Sequence, residues 1–412
     1  MTSVAAGGHA PLDLTAPSFS ASGAAVLDAR EEGWCVRTNF GIAVLRHEEV
    51  GKLLKHPALR QGSSSWPAQN GITEGVLFDW WQRTLVAVPD EDHARIRRLV
   101  NPAFSKSAVA LMTEQFRELA HELIDGFVAS GSCEFMADFA EPFSARALCR
   151  LLGIPEDDWK ELSDQSADLG LAFGPEIAEQ RGRIEAAILA LGKRADRLIE
   201  AAQRHPGRDV VSTLVQAAQG DGGLDWTEVR ELIVQLIFGG MDTTRSQIGF
   251  GMHAFVVRPD QWDLLGRQPE LGANAVEEVV RFMPTINWIT RIAEDAFTFQ
   301  GVDIAEGTVL HMMAYASGTD PLILGEGAEF DITAERVPHY GFGGGRHHCL
   351  GHFVARLDMR EALVALADRI HSPRYSEPPT FRPNTGNTGP EVLPLKFDGA
   401  PARNPFTSDL LL

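Results

Sequence analysis

Hydrophobic positions along this chain recur mainly at the spacing of amphipathic helices. In 106–204 apolar residues return at i, i+3, i+4 and i+7, with a break predicted at Gly153–Pro155 and a loop at 204–209. The pattern predicts that helices dominate the region from 90 to 285.

The longest helix is predicted between Asp225 and Pro259. Asp225 and Glu228 have the spacing of a capping box, and an apolar-rich pattern follows for about 32 residues, or ~48 Å of helix. Its middle carries GGMDTT (239–244), where glycine and threonine are poor helix formers. Such a weak point suits the approach of a ligand or a local distortion, and close helix packing on glycine is the alternative.

Shorter runs predict small sheets on both sides of the helical region. Two β-like runs around a turn, then a helix start, are predicted in 34–50, and short strands in 291–313. A helix at 268–283, a last helix at 350–370 and a strand-rich tail complete the pattern. The predicted fold class is therefore mainly α with small β-sheets.

The composition is that of an acidic globular protein. Its 37 Lys and Arg against 56 Asp and Glu give a net charge of −19, which argues against binding to nucleic acid or to an anionic membrane surface. The four cysteines are too few for a disulfide scaffold and form no CxxC pair, which excludes zinc ribbons and thioredoxin-like motifs.

The ends of the sequence carry no targeting pattern. Residues 1–25 are small and polar, and we expect them to be peripheral or mobile. No stretch approaches the ~20 apolar residues of a membrane span. These features predict a cytoplasmic protein without a membrane anchor.

The segment FGGGRHHCLG (342–351) is the most informative part of the chain. It places Cys349 at the end of a glycine-rich loop, directly before a predicted helix whose N-terminal amides and dipole stabilise a thiolate. Its glycines let the backbone approach a flat ligand.

Three other interpretations of this segment stay open from the residues alone. A buried structural cysteine is the commonest role of a single Cys, but it explains neither the glycines nor the histidines. A zinc site from His347, His348, Cys349 and His352 would need contiguous residues to point at one metal. A Cys/His nucleophile pair would need adjacent side chains to align for proton transfer.

FGGGRHHCLG resembles the cysteine-ligand loop of the cytochrome P-450 haem-thiolate monooxygenases, Phe-Gly-x-Gly-x-His-x-Cys-x-Gly. The resemblance implies the cytochrome P-450 fold, with 1–412 as a single large domain and the long central helix over the haem. It also implies haem b (iron protoporphyrin IX) with Cys349 as the thiolate ligand to the metal, and O2 as co-substrate. Phe342, Gly343 and Gly351 would shield the sulfur and donate backbone hydrogen bonds.

Further residues of the resemblance concern the haem propionates. HARIR (93–97) is similar to the family's His-x-x-x-Arg, and one helical turn puts His93 and Arg97 on the same face. A solvated basic face is the alternative. Arg291 and His347 are the other implied propionate partners, although Arg291 could instead be an exposed strand residue.

GGMDTT is similar to the family's Ala/Gly-Gly-x-Asp/Glu-Thr motif in the long helix. The resemblance implies that Gly239 leaves room for O2. It assigns Asp242 and Thr243 as the catalytic residues that supply protons for O2 activation.

Glu278 and Arg281 resemble the family's Glu-x-x-Arg, which implies a structural ion pair that braces the cysteine loop. The spacing alone is weak evidence, because i,i+3 ion pairs are common on helix surfaces. The chain also departs from the family, since Ala334 stands where an arginine commonly joins this pair. Glu278, Arg281 and this further arginine would form a triad. Either Arg336 substitutes for the missing arginine or the triad is incomplete.

The implied reaction inserts one atom of O2 into a hydrophobic or aromatic small molecule in secondary metabolism, with electrons from NAD(P)H. No flavin or iron–sulfur domain fits beside the haem fold, so a separate ferredoxin-type donor with its reductase is implied. We hypothesise a basic face for this donor, formed by four arginines: Arg95, Arg98, Arg346 and Arg356.

The substrate pocket is predicted by analogy to include four aromatic residues: Phe78, Trp81, Phe238 and Trp288. Packing in the core is the alternative for such side chains.

Three rival functions remain at this point. One is a non-catalytic haem-binding sensor, which the Asp242–Thr243 pair disfavours. Another is atypical haem-thiolate chemistry, such as oxidative coupling or peroxide-driven oxidation. The third is a non-haem zinc enzyme.

Overall fold

The computed structural model describes residues 10–174, 176–220, 223–383 and 386–399, and most of them are helical. The α-helices are α1 (Ala24–Glu32), α2 (His47–Leu53), α3 (Trp66–Gln69), α4 (Val76–Trp81), α5 (Asp90–Val100), α6 (Lys106–Ala110), α7 (Thr113–Phe127), α8 (Glu141–Leu152), α9 (Trp159–Gly170), α10 (Arg181–Arg204), α11 (Val210–Gln219), α12 (Trp226–Val256), α13 (Pro259–Arg267), α14 (Gly272–Phe282), α15 (Ala314–Gly318), α16 (Pro321–Leu324) and α17 (His352–Arg369). The break predicted at Gly153–Pro155 is confirmed, because α8 ends at Leu152. The loop predicted at 204–209 is confirmed as well, because α10 ends at Arg204 and α11 begins at Val210.

The strands are short and belong to four small sheets. They are β1 (Cys35–Thr38), β2 (Gly41–Val44), β3 (Leu59–Gln61), β4 (Ser132–Glu134), β5 (Trp288–Ala293), β6 (Phe297–Phe299), β7 (Val302–Ile304), β8 (Val309–Met313), β9 (Ile370–Tyr375), β10 (Thr380–Phe381), β11 (Pro390–Val392) and β12 (Pro394–Gly399). The largest sheet has the order β1-β2-β8-β5-β3, in which β2 and β8 are parallel and the other neighbours antiparallel. The fold class predicted from the sequence is confirmed.

One strand interrupts the region that the periodicity assigns to helices. β4 pairs with β12, so that Cys133 lies opposite Leu395 in a three-stranded sheet of order β4-β12-β9. Three residues are too few for a period to be recognised, and their partner lies far away in the sequence. The prediction of helix at this position is wrong because a long-range pairing decides it.

Helix α12 begins with the predicted capping box. The Asp225 carboxylate accepts a hydrogen bond from the Glu228 amide (2.8 Å), and the Glu228 carboxylate accepts one from the Asp225 amide (2.9 Å). The helix continues through 239–244 without a break, so the local distortion considered there does not occur. Gly240 instead supports close packing, because a Cβ at this position would lie 2.9 Å from Leu148 Cδ1 of α8.

The core consists mainly of two buried clusters that share α12. One joins α12 to α8 and α10 and includes Met241. The other joins α12 to α7, α14 and α17 and includes Ile248. The two clusters therefore meet on α12 between these two residues, and this stretch carries Asp242 and Thr243.

The N-terminal segment is described from residue 10 onward, and the expectation for 1–9 lies outside the described residues. Leu12 pairs with Thr38 at the edge of the largest sheet, and Leu14 is buried. Throughout the described part of the chain, no helix combines the length and the apolar character that a membrane crossing requires.

The capping box gives a direct test of how α12 is anchored. We expect Asp225→Ala to lower the free energy of unfolding by about 1 kcal/mol, because the Glu228 amide at the helix start loses its side-chain acceptor. Denaturant unfolding measures the effect. The matched control is Asp295→Ala in an exposed turn, and an equal loss in both variants would contradict a specific role of the cap.

Candidate functional site

The glycine-rich loop before α17 turns the chain so that Cys349 lies directly ahead of the helix. The Cys349 amide donates a hydrogen bond to the Phe342 carbonyl (2.9 Å) and closes the loop. Gly343 and Gly345 have φ values of 71° and 67°, in the left-handed region. A Cβ on Gly345 would also lie 2.4 Å from the Leu54 carbonyl oxygen, so a side chain is excluded there.

The Cys349 side chain reaches solvent, although protein atoms crowd around its sulfur. This crowding raises the pKa of the thiol by desolvation. A backbone hydrogen bond from Gly351 and the charges of Arg97 and Arg356 act in the opposite direction and lower that pKa. The loop thus offers a sulfur whose thiolate form has stabilising partners and which a further positive charge, such as a metal ion, would favour.

The four predicted propionate partners lie together beside the cysteine loop. The His93 and His347 rings are 4.0 Å apart between centroids. Arg97 donates to the His348 carbonyl (2.9 Å). Arg291 is buried, with 3% of its surface exposed, and it donates to the Gly344 carbonyl (3.3 Å) among other neutral acceptors. His93 is also buried, so the alternative of a solvated face is wrong for this residue. The alternative of an exposed strand position is likewise wrong for Arg291.

This basic cluster is short of negative charge. Among the described residues, the carboxylate of Asp90 is the one within 4 Å of the four side chains, and it lies 3.8 Å from His347 Nε2. Burial, followed by neighbouring positive charges, lowers the pKa of His93 to about 4 and that of His347 to about 3. The same causes, burial first, lower the pKa of Arg291 to about 10.

The donor set fits the cofactor that the resemblance implies. Buried cationic groups require compensating charge, and His347 Nε2 has no hydrogen-bond partner in the described structure. Two carboxylates on a bound group would supply both the charge and the acceptors. The cluster therefore suits the two propionates of a haem whose iron is bound by Cys349.

Helix α12 passes close to the cysteine loop. Leu350 and Val354 pack against the cluster that contains Ile237 and Met241 of α12. Gly239 faces open space, since an added Cβ would meet no atom within 4 Å apart from those of its chain neighbours and its own helix backbone. The Thr243 hydroxyl donates to the Gly239 carbonyl (2.7 Å) in the preceding turn.

Asp242 has partners that the sequence analysis did not identify. Its carboxylate accepts hydrogen bonds from Arg382 (2.9 and 3.1 Å) and from Asn387 (2.9 Å). Arg382 follows β10, about 140 residues further along the chain. No local pattern connects the two positions, and their pairing depends on the tertiary fold.

Glu278 is buried between two arginines. Arg281 donates to both of its carboxylate oxygens (2.7 and 2.6 Å), and Arg336 also donates to both (3.2 and 2.9 Å). The Asp331 amide adds a further bond (2.8 Å). Arg336 therefore occupies the place of the arginine expected at Ala334, and the triad is complete.

The neighbouring Glu277 is a site residue that the sequence analysis missed. It accepts hydrogen bonds from Arg356 of α17 (2.5 and 3.0 Å) and lies 3.2 Å from His339 Nε2, in the segment that leads to the cysteine loop. Burial opposes ionisation of Glu277, but its interactions with His339 and Arg356 prevail and lower its pKa to about 2. The Arg356 guanidinium also lies 4.4 Å from the Phe342 ring centroid, so Glu277 links both ends of the loop.

The hypothesised basic face is not free. Arg95 is paired with Glu228, Arg346 with Asp90 and Arg356 with Glu277. Of the four arginines, Arg98 is exposed without an ion pair to any described residue. Three of the four arginines of the hypothesised patch are therefore neutralised locally by carboxylates.

The predicted pocket residues occupy different surroundings. Trp81 is fully buried, and its indole donates to the Ser63 carbonyl (2.9 Å), as the core-packing alternative expects. Its ring is 4.8 Å from that of Phe173, which stacks on Phe238 at 4.6 Å. Phe78 packs against the same cluster.

Trp288 lies apart from this aromatic group, against Phe19 and His311 (6.2 and 5.8 Å). The zinc alternative finds no support, since the described ranges contain no group of three or more His, Cys, Asp or Glu side chains arranged to hold a metal ion.

The chain is similar to proteins of known sequence and structure. The family model Cytochrome P450 matches residues 174–369. Luteothin monooxygenase of Streptomyces thioluteus is 34% identical over 94% of this chain and 96% of that protein. 6-Deoxyerythronolide B hydroxylase of Saccharopolyspora erythraea is 30% identical over 81% of this chain and 82% of that protein. The crystal structure of CalO2 is similar with a TM-score of 0.85 at 27% identity, covering 92% of this chain and 98% of that one.

The Glu278 triad yields a ranked prediction. Arg281→Ala should lower the free energy of unfolding by ~3–5 kcal/mol, because it removes the closest partner of a buried carboxylate. Arg336→Ala should cost ~1–3 kcal/mol, since Arg281 still neutralises Glu278. Denaturant unfolding compares both with Arg374→Ala, whose ion pair with Asp398 is exposed. Equal losses in the first two variants would contradict the ranking.

Proposed function

The chain belongs to the cytochrome P450 family, and from that premise we propose that it is a haem-thiolate monooxygenase that transfers one atom of O2 to a hydrophobic or aromatic small molecule. The relatives act as monooxygenases and hydroxylases by name. Their names support a substrate of that kind. A thiolate-ligated haem, when bound, supplies the chemistry of O–O bond cleavage.

The observation that carries the proposal is the basic cluster beside the cysteine loop. His93, Arg97, Arg291 and His347 converge where only Asp90 offers them a described carboxylate. In this proposal the four side chains would hold the two propionates, and Cys349 would bind the iron. Phe342 would cover the sulfur from the side on which Arg356 stacks.

The residues of α12 have the proton-handling role in this proposal. Gly239 leaves space next to the backbone, and the Thr243 hydroxyl is held by the Gly239 carbonyl. Asp242 lies one residue before Thr243, where its carboxyl group would accept and pass on protons. Phe173 and Phe238, stacked beside this stretch, would contribute apolar walls.

Electrons would come from NAD(P)H through a separate ferredoxin-type donor and its reductase. The ion pairs of Arg95, Arg346 and Arg356 mean that the donor would meet a surface of mixed charge. On such a surface we expect the donor to bind through charged groups of both signs that match those of this protein, and not through an acidic face alone. Peroxide-driven oxidation is the alternative, and it would need neither protein.

The spectrum of the reduced, CO-bound protein tests the proposed ligation. The wild type and a Cys35→Ala control should show the thiolate-specific absorption band, whereas Cys349→Ala should lose it, because no other described cysteine lies in the loop. Retention of the band in Cys349→Ala would overturn the assignment. A substrate search by spin-state shift then follows on the wild-type protein.

Thr243→Ala tests the catalytic assignment separately. The variant should keep the CO-bound spectrum, but product formation should fall by ~10²-fold, the usual contribution of a proton donor, while hydrogen peroxide accumulates. Product, peroxide and NAD(P)H consumption are measured with added ferredoxin and reductase. Undiminished product, or turnover of the wild type with peroxide alone and none with the redox proteins, would favour the alternative chemistry.

A further inference from the structure

Both oxygen atoms of the Asp242 carboxylate are engaged in the described structure. Arg382 donates to Oδ1 at 2.9 Å and to Oδ2 at 3.1 Å through the same nitrogen, and Asn387 donates to Oδ2 at 2.9 Å. Arg382 also donates to the hydroxyl of Ser246, one turn further along α12. The side chain of Asp242 is therefore directed toward the C-terminal segment.

The segment 386–389 is itself held on two sides. Asn387 accepts a hydrogen bond from the Thr285 hydroxyl (3.0 Å), and the Thr388 amide donates to the Thr285 carbonyl (2.9 Å). Gly389 lies so close to α12 that a Cβ would be 2.5 Å from Ser246 Cβ. The segment thus fills the space between α12 and the approach to β5.

Asp242 connects this segment to the neighbouring Thr243. An ion pair together with an additional amide donor restricts a carboxylate to one orientation more strongly than a single bond does. Without Arg382, the Asn387 amide (2.9 Å) and the more distant Arg245 guanidinium (3.9 Å) would hold the Asp242 carboxylate less firmly, and other rotamers would become accessible. The position of the acid then depends on residues that are remote in sequence and close to the predicted pocket.

We propose that Arg382 and Asn387 are positioning residues that act through Asp242 and make proton supply at Thr243 depend on the placement of segment 386–389. The inference rests on the proposed monooxygenase function. A substrate that contacts this segment would change the orientation of Asp242, so that the fraction of O2 used productively would vary with the substrate.

The test compares Arg382→Gln with Asp242→Asn and with the double variant, all as haem-loaded protein. Arg382→Gln should lower product formed per NAD(P)H consumed at least ~3-fold and raise the solvent deuterium isotope effect on turnover. In the Asp242→Asn background the same change should add little, because Arg382 acts through that carboxylate. Arg382→Lys should restore part of the loss.

A second measurement does not depend on turnover and monitors the backbone of segment 386–389 directly. Hydrogen exchange measured by mass spectrometry should become faster at Thr388 in Arg382→Gln and stay unchanged in the exposed control Arg374→Gln. Unchanged exchange together with unchanged coupling would overturn the inference, as would additive effects in the double variant. Asn387→Ala serves the same test if Arg382→Gln does not fold. Loss of the CO-bound thiolate spectrum in the wild type would instead refute the proposed function.

Discussion

Glu278 lies almost wholly buried between the guanidinium groups of Arg281 and Arg336, so its charge must be neutralised inside the protein. Breaking such a pair is costly, whereas an apolar replacement of the whole set is often tolerated. The triad therefore contributes mainly by positioning the backbone segments to which its arginines donate hydrogen bonds. Arg281 also donates to the Gly318 carbonyl (2.8 Å), and Arg336 to that of Glu329 (2.7 Å), so α14 fixes the segments that lead toward the cysteine loop.

The overall acidity of the chain conceals a local reversal of charge. A net charge of −19 applies to the whole chain, yet the interior beside Cys349 brings the guanidinium groups of Arg97 and Arg291 together with little compensating negative charge. A protein can maintain such a cluster only when the surrounding fold over-determines it. The stacking of His347 on His93 and the carbonyl contacts of both arginines provide that support.

The sequence predicts what depends on local pattern or on a contiguous motif. The start of α12 at Asp225 and the loop at Cys349 are both readable, because a capping box and a glycine-rich loop place their signals within a few residues. Long-range pairings are not readable, and Arg382 with Asp242 is the clearest case. Aromatic residues are also ambiguous, since burial of Trp81 in the core and exposure to a ligand require the same apolar side chain.

The parallel pairing of β2 with β8 has a consequence for how the chain is made. Ile42 lies opposite Leu310 in the register, 268 positions later. At a synthesis rate of about 5–20 residues per second, the hairpin β1–β2 leaves the ribosome roughly 10–50 s before its parallel partner exists. During this interval its edge is unpaired and open to association with other chains. Cys349 is synthesised later still, so capture of a cofactor can begin only after the strands of this sheet are available.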